Sequence, residues 1–470
     1  MERSLKNLLK CINIITELDV EILGISDYHL DVGPNCLFIA NDGLTNKVDK
    51  FIDEVILNNG YVITSTNYSH PNVINDAQLI EHIPTLIYNY YGDLNSKLIT
   101  IGVTGTNGKS SVTNFIYQLL NMNNLKCMLI GTSGVYCNNE RNECLNTTPS
   151  LVSLARCFYN AMLLGCKSIV MEVSSQAIDE LRIKLIKFNV IAYTNISSDH
   201  IDYHLTFTHY QYSKFKLRKY LKKDGVILVN NNDYNLYELY KLNNYIAVTY
   251  GMNAHFNISD IKVSDHDIKF KIKGEDMVVN IIGEYNVENL GCAISVLNLL
   301  NIRMDKLKED VKQIKGVAGR LQVIEQKEFK IWIDYAHTTS ALCALMKFAS
   351  KVKANRIILV FGCGGNRDIT KRPQMGQIAC RYADQVIVCE DNPRQENSEQ
   401  IFEMIKEKAQ NNLIIIRNRK EAIKHAINIA QKSDIIIVAG RGAETYQIFS
   451  DYKIAQSDLD IVESIIAQED

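Results

Sequence analysis

From Lys97 onward the chain alternates between short runs of consecutive apolar residues, polar loops, and segments whose apolar positions recur three and four apart. The first such run, LITIGVTG (98–105), enters a glycine loop, and KSIVMEV (167–173), NVIAYTN (189–195) and GVILVNN (225–231) follow it. Unbroken apolar runs suit strands buried on both faces of a parallel sheet. The helical periodicity of Ser111 to Met122 and Leu151 to Leu164 predicts helices covering them. A second series begins near Lys330: IWIDYAH, RIILVFG, DQVIVCE, NLIIIRN and DIIIVAG predict five more short strands separated by helical segments. Such alternation predicts an α/β fold of doubly wound sheets with right-handed crossovers. The polar clusters DYAH, GCGGNRD, EDNPR and GRGAE each follow a strand of the second series. They therefore gather at the carboxyl edge of one sheet, where open α/β sheets bind ligands. Before Lys97 the pattern is weaker: Cys36 to Ala40 and Tyr61 to Thr64 read as short strands, and MERSLKNLLKCINIITELD as an amphipathic helix.

A length of 470 residues fits three domains, expected at 1–96, 97–318 and 319–470. With 51 Lys and Arg against 53 Asp and Glu, the net charge of −2 argues against a nucleic-acid or membrane-surface binder. Hydrophobic residues at 46% exclude disorder as the main state. No apolar run approaches the ~18–20 residues of a membrane span. The N-terminal segment is interrupted by Lys6 and Lys10 and lacks a small-residue cleavage site. The 12 cysteines show neither Cys-x-x-Cys pairs nor zinc spacing, and Cys363 reads as a reduced, small apolar residue. A cytoplasmic, monomeric enzyme acting on small molecules is the expectation.

The loop Gly105-Thr106-Asn107-Gly108-Lys109-Ser110 lies between a buried strand and a helix. Backbone N–H groups at such a turn close around phosphate oxygens, Lys109 adds positive charge, and Ser110 or Ser111 offers a hydroxyl to Mg²⁺. The generic phosphate-loop spacing is not met, because Val103 stands where its first glycine belongs. Glu172 ends the next strand and reads equally as a metal ligand or a capping or salt-bridged carboxylate. His200, in TNISSDHIDYH, reads as a metal or phosphate ligand or as a solvated loop histidine. Lys214 heads the basic run KFKLRKYLKK, by itself a solvated helical face. Asn286 and Asn289 lie one helical turn apart.

GTNGKSS, TTPS (147–150), MEVSSQAI, TNISSDHIDYH with Tyr210 and Lys214, GEYNVEN, GVAGR, DYAHT, GCGGNRD with KRP, and DNPR occur in one order. This succession resembles the Mur ligases, the ATP-dependent amino-acid ligases of peptidoglycan synthesis. It covers residues 97 to 447 strongly and the first 96 weakly. The resemblance implies a small N-terminal UDP-binding α/β domain, a central ATPase domain and a Rossmann-like C-terminal domain. It implies that a carboxylate is phosphorylated by ATP and then attacked by an amine. Gly105, Thr106, Asn107, Gly108, Lys109, Ser110, Ser111, Asn286, Arg320, Asp334 and His337 would bind ATP. Ser110, Glu172, His200 and a carbamylated Lys214 would serve Mg²⁺, with Lys109, Glu172, His200 and Lys214 catalytic. Thr147, Thr148, Ser174 and Arg182 would contact a UDP-muramoyl-dipeptide. Arg367, Asp391, Asn392, Pro393, Arg394, Gly440 and Glu444 would bind the incoming amino acid. Arg394 suits the distal carboxylate of meso-diaminopimelate, since a guanidinium grips a carboxylate through two bonds, and Glu444 suits its distal ammonium.

The chain departs from the family pattern at Gln176, Thr339, Arg441 and Ala443, and carries Asp27-Tyr28-His29 where the uridine-binding loop usually reads Asp-Ser-Arg. Tyr28 reads as a packed tyrosine. Competing readings are a ligase adding lysine or another amine, a folylpolyglutamate-synthase-like enzyme, a degenerate nucleotide-binding paralogue, and a P-loop kinase. DNPR and TTPS oppose the folate reading; the four strand-end clusters oppose the kinase.

Overall fold

The structure is a computed structural model and describes residues 3–41, 48–138, 140–144, 146–242, 246–352 and 354–469. The chain forms two compact units, one of Met1–Gly102, Asn124–Ile191 and Lys216–Gly225, the other of Val103–Asn123, Ala192–Phe215 and Val226–Asp470.

The first unit opens with a parallel sheet of Gly24–Ser26, Cys36–Ala40, Tyr61–Thr64 and Val73–Asn75, in that order. Phe38, Ala40 and Val62 from its strands pack with Val32, Ile52 and Val55. Both expected strands are present here. The expected N-terminal amphipathic helix shrinks to Leu5–Lys10, capped by the Ser4 hydroxyl. It buries Leu5, Leu8 and Leu9; beyond it Ile12 is still buried, and the exposed Ile15 marks where the buried stripe has ended. Strands Cys127–Gly131 and Ser168–Glu172 pair in parallel, fully buried as their apolar runs require. A hairpin, Gly134–Cys137 with Glu140–Asn142, extends from the former. Helix Leu151–Leu163 begins where the Ser150 hydroxyl accepts the Ser153 N–H.

The second unit ends in a six-stranded sheet ordered Gln322–Glu325, Lys330–Asp334, Ile435–Ala439, Ile357–Phe361, Gln385–Val388, Leu413–Ile415. Gln322–Glu325 pairs antiparallel with Lys330–Asp334, and the other five strands, the five expected, are mutually parallel. Side chains alternate between faces with period two. Trp332, Leu359, Phe361, Ile435 and Ile437 pack under helices Thr339–Ala349, Lys371–Tyr382 and Ser398–Lys406. Ile331, Ile333, Ile358, Val360, Ile436 and Val438 pack under Arg419–Asn428 and Asp458–Glu469. Because the five strands are parallel, DYAH, GCGGNRD, EDNPR and GRGAE all leave the same edge.

The unit also holds an antiparallel meander of Phe256–Val263, Ile268–Ile272 and Glu275–Val279. Its second turn places Lys273 and Gly274 at φ +50° and +83°, the paired left-handed geometry that matches strand twist in a two-residue hairpin. The basic run KFKLRKYLKK is not a helix. The α-helix Phe207–Phe215 stops after its first two residues, Lys216–Tyr220 is a 3₁₀ segment, and strand Leu221–Asn230 takes over. Among the described residues no helix is long and apolar enough to cross a membrane.

Candidate active site

The phosphate loop occupies the start of helix Lys109–Met122 in the second unit. Gly108 sits at φ +84°, and a Cβ there would strike the Asn289 amide. A Cβ on Gly105 would likewise strike the Thr194 hydroxyl, so both positions need glycine. Asn195 brackets Asn107: its Oδ1 accepts the Asn107 N–H at 2.9 Å and its Nδ2 donates to the Asn107 carbonyl at 3.1 Å. Lys109 Nζ donates to the carbonyls of Gly105 and Thr106, both at 2.9 Å. The Thr106 hydroxyl donates to the Ser197 carbonyl at 3.0 Å and meets the Tyr210 hydroxyl at 2.9 Å. Ser110 and Ser111 are both buried in the first helical turn.

Lys214 is 2% exposed. Its Nζ donates to the Gly105 carbonyl at 2.9 Å and lies 4.8 Å from the centroid of the Tyr210 ring. Burial draws its ammonium well below the usual lysine range; Lys109 adds to the shift and Asp199 opposes it. A solvated face is therefore the wrong reading of this residue. His200 caps the short helix Ile201–His204 at φ +54°, with Nε2 3.4 Å from Asp199. Burial lowers its pKa as well, which favours the neutral, ligating imidazole. Burial alone would raise the Asp199 carboxyl, but His200, His337, Lys371 and Lys109 outweigh it and hold it at about 2.

Arg320 NH2 donates to the Ser110 hydroxyl at 2.9 Å, and the guanidinium lies 4.2 Å from the centroid of the Tyr335 ring. Asn286 Nδ2 donates to the Ile282 carbonyl at 2.8 Å and its Oδ1 accepts from Asn289 at 2.9 Å, so the two amides are cross-linked beneath the loop. Asp334 accepts the N–H groups of Leu321 at 2.7 Å and Ala336 at 2.8 Å. Burial pushes its carboxyl up despite these bonds. His337 Nδ1 donates to the Tyr335 carbonyl at 2.9 Å. Burial, with Lys371, pulls its pKa down to about 3, so the ring is neutral at physiological pH.

At the edge of the C-terminal sheet, Asn392 Nδ2 donates to Glu444 at 2.8 Å, and Asn392 Oδ1 accepts the Ile448 N–H at 2.8 Å. Arg394 takes φ +52° and donates through NH1 to the Gly365 carbonyl at 2.9 Å and the Asn392 carbonyl at 3.3 Å. Burial and nearby Arg367 lower the Arg394 pKa. Gly440, at φ +114°, faces Asp391 Oδ2 so closely that a Cβ would stand 2.7 Å from it. That buried oxygen has no hydrogen-bond partner among the described residues. Pro393 lies in the same loop, and Arg367 reaches within 4.0 Å of Asp202. Arg441 is fully buried; its NH2 donates to the Gln456 carbonyl at 2.8 Å, with Nε 3.9 Å from Glu444. The sheet edge thus offers both charges to a zwitterionic ligand. Cys363 is buried there and its thiol is pushed up to about 12, leaving it inert.

In the first unit, Glu172 is 1% exposed and accepts from the Thr132 N–H at 2.9 Å and the Thr132 hydroxyl at 3.3 Å. The Thr147 and Thr132 hydroxyls lie 3.0 Å apart. The Thr148 hydroxyl donates to the Glu172 carbonyl at 2.9 Å and accepts the Ser174 N–H at 3.0 Å, while Arg182 donates to the Thr148 carbonyl at 3.0 Å. The structure brings these five sequence candidates into one network. In the divergent loop, Asp27 accepts from the Ser153 hydroxyl at 3.1 Å and the His29 ring stacks on Phe51 at 3.8 Å. Tyr28, half-buried, packs edge-on against His29. The sequence reading passed over Thr132, Asn195 and Tyr335. All three follow strands, so the same strand-end rule finds them.

A family model described as the Mur ligase middle domain matches residues 103–297, and one described as the glutamate ligase domain of Mur ligases matches 319–442. A protein of Caldanaerobacter subterraneus subsp. tengcongensis named UDP-N-acetylmuramoyl-L-alanyl-D-glutamate–2,6-diaminopimelate ligase is 35% identical over 466 residues, 96% of each chain. A solved structure of a ligase of that same name, 28% identical, superposes with a TM-score of 0.64 over 100% of this chain and 99% of that one. The MurF ligase of Thermotoga maritima, solved with ADP, shares the fold at 16% identity and a TM-score of 0.67, over 88% of this chain and 93% of its own.

Proposed function

The chain belongs to the Mur ligase family, and from that premise we propose that it adds meso-diaminopimelate to the D-glutamate carboxylate of UDP-N-acetylmuramoyl-L-alanyl-D-glutamate, converting ATP to ADP and phosphate. The observation that carries the choice of amino acid is the Asn392–Glu444 hydrogen bond at 2.8 Å beside Arg394 on one sheet edge. A carboxylate for the distal ammonium and a guanidinium for the distal carboxylate stand together there.

The chemistry is positioning and charge neutralisation. Lys109 exchanges its loop carbonyls for phosphate oxygens at the positive end of helix Lys109–Met122. Arg320, beside Ser110, faces the transferring phosphoryl group. Asn286, Asp334 and His337 hold the rest of the nucleotide. Phosphorylation of the D-glutamate carboxylate gives an acyl phosphate, the amine of diaminopimelate attacks its carbonyl, and phosphate leaves as the amide forms. Thr147, Thr148, Ser174 and Arg182 hold the muramoyl-dipeptide. Arg367, Asp391, Asn392, Pro393, Arg394, Gly440 and Glu444 hold the amino acid.

In the second unit Ser110 offers a hydroxyl and His200 a lowered-pKa imidazole of the kind Mg²⁺ takes, and in the first unit the buried Glu172 offers a carboxylate. When bound, Mg²⁺ neutralises phosphate charge. Lys214, with its lowered pKa, keeps the free amine that must attack carbon dioxide. The amine nitrogen bonds the carbon of carbon dioxide as one C–O π bond opens onto oxygen, a proton leaves the nitrogen, and the neutral amine becomes an anionic carbamate. The division at 96 and 318, a monomeric state and a cytoplasmic location complete the proposal.

The test supplies purified protein with ATP, Mg²⁺ and the UDP-muramoyl-dipeptide, then diaminopimelate or lysine separately, and follows phosphate release and product mass. Diaminopimelate-dependent phosphate with a product of matching mass is expected. Phosphate with neither amine refutes ligation, and selective use of lysine refutes the assignment of Arg394.

A further inference from the structure

Tyr335 stands between the two ends of the second unit's site. Its hydroxyl donates to Glu444 Oε1 at 3.1 Å, while the other carboxylate oxygen accepts from Asn392 at 2.8 Å. Its ring face carries the Arg320 guanidinium at 4.2 Å, and Arg320 donates to the Ser110 hydroxyl at 2.9 Å. Gly442, at φ +52°, lets the Glu444 loop lie directly on this tyrosine, since a Cβ there would stand 3.0 Å from Tyr335 Cβ. Gly319, next to Arg320, likewise has no room for a Cβ against the backbone of Gly442 and Ala443.

We infer that Tyr335 is a positioning residue that couples the amino-acid end of the site to its phosphate end, its hydroxyl orienting Glu444 and its ring orienting Arg320 toward Ser110. This rests on the ligase reading of the same site. A ring face fixes the plane of a guanidinium, and a hydrogen bond to a charged group fixes the carboxylate. One short side chain does both, so a ligand that displaces Glu444 also displaces the seat of Arg320. The coupling is reciprocal: nucleotide tightens the amino acid by the factor by which the amino acid tightens nucleotide.

Two variants separate the functions. Tyr335→Phe keeps the ring and removes the hydroxyl; the KM for diaminopimelate rises about 10-fold, as expected for a hydrogen bond to a charged group, while the KM for ATP holds within about twofold. Tyr335→Leu removes both, raising the two KM values together and abolishing the tightening of diaminopimelate by a non-hydrolysable ATP analogue. If the leucine variant does not fold, the phenylalanine variant decides, paired with Glu444→Gln in a double-mutant cycle expected to be non-additive. Additive effects, or an active wild type whose Tyr335→Phe form keeps its KM for diaminopimelate within about twofold, overturn the inference alone. A wild type with no diaminopimelate-dependent phosphate release overturns the ligase reading and the inference together.

Discussion

Arg394→Lys isolates the contribution of a planar, two-pronged cation to amino-acid selection. In the native loop NH1 is committed to the carbonyls of Gly365 at 2.9 Å and Asn392 at 3.3 Å, and the other guanidinium nitrogens have no hydrogen bond to the described residues. Those nitrogens meet the distal carboxylate of diaminopimelate. A lysine ammonium is a single point that cannot hold both the loop carbonyls and the two carboxylate oxygens. At least one charge-assisted bond is lost, about 1.5–3 kcal/mol, which is about 10- to 150-fold in KM for diaminopimelate. The assay is initial-rate phosphate release against diaminopimelate concentration, with ATP and dipeptide saturating; kcat is expected to change far less than KM. Arg394→Gly provides the control for stability. The φ of +52° is strained for arginine and free for glycine, by about 1–2 kcal/mol, against about 0.5–1 kcal/mol of added unfolded-chain entropy. Loss of the NH1 bonds to the Gly365 and Asn392 carbonyls offsets that relief, so the melting midpoint should not rise, while KM climbs at least as far as in the lysine variant. A KM within about threefold of wild type for Arg394→Lys would refute the reasoning, since less than one charge-assisted bond would be at stake.

Lys214→Ala should lower turnover by about 100-fold or more, on the scale of removing a preorganised charged group, and added bicarbonate should not restore it; full activity in carbon-dioxide-free buffer refutes the carbamate. Burial and then Asp391 push the Glu444 carboxyl up, while Asn392, Arg441 and Tyr335 draw it down, for a net rise. Only the ionised form holds the amino acid's ammonium, so KM for diaminopimelate should climb as pH falls through a range above that of an ordinary glutamate. Glu444→Gln should flatten that limb of the KM profile. Arg419 and Asp458 are both fully buried and paired at 2.7 and 2.8 Å; Arg419→Met should cost about 3 kcal/mol in chemical denaturation, because it removes both hydrogen bonds and leaves the buried carboxylate only Arg441, 3.6 Å away, and a loss under about 1 kcal/mol would mean the pair is solvated.

The parts of the fold legible in the sequence are those whose signal is local. IILVF and IIIVA have no polar residue to face solvent, so they can only be strands buried on both sides, and the structure places helices on both. The meander was not read: FNISDIKV carries a register shift between Ser259 and Lys262 that breaks its alternation, although IKFKI alternates apolar residues and lysine cleanly. The basic run misled for a different reason: lysine suits helix, 3₁₀ segment and strand edge alike when its ammonium reaches solvent or a carbonyl, as Lys222 does on the carbonyls of Asn95 and Leu98. Within the site, strand-end position identified Glu172, Asp391 and the phosphate loop. The pairings themselves were out of reach. Arg320 on Ser110 and Tyr335 on Glu444 join residues 210 and 109 positions apart, and no local pattern encodes which strand ends become neighbours.

A net charge of −2 gives no hint of how the ligand-binding groups are arranged, because the second unit segregates its charges by ligand. Where phosphates would bind, Lys109 and Lys371 act on Asp199, whose carboxyl is held at about 2, while Arg320 donates to the Ser110 hydroxyl. Repulsion there is limited because burial keeps His337 neutral and favours the neutral form of Lys214. Where a zwitterion would bind, Asp391 and Glu444 face Arg394 and Arg441. Arg441 stands where the family usually has lysine, and its guanidinium spans Asp458, 3.6 Å away, and Glu444, 3.9 Å away. A planar cation can serve two carboxylates on opposite sides. The substitution therefore preserves the positive charge behind Glu444 while tying that loop to the buried Arg419–Asp458 pair.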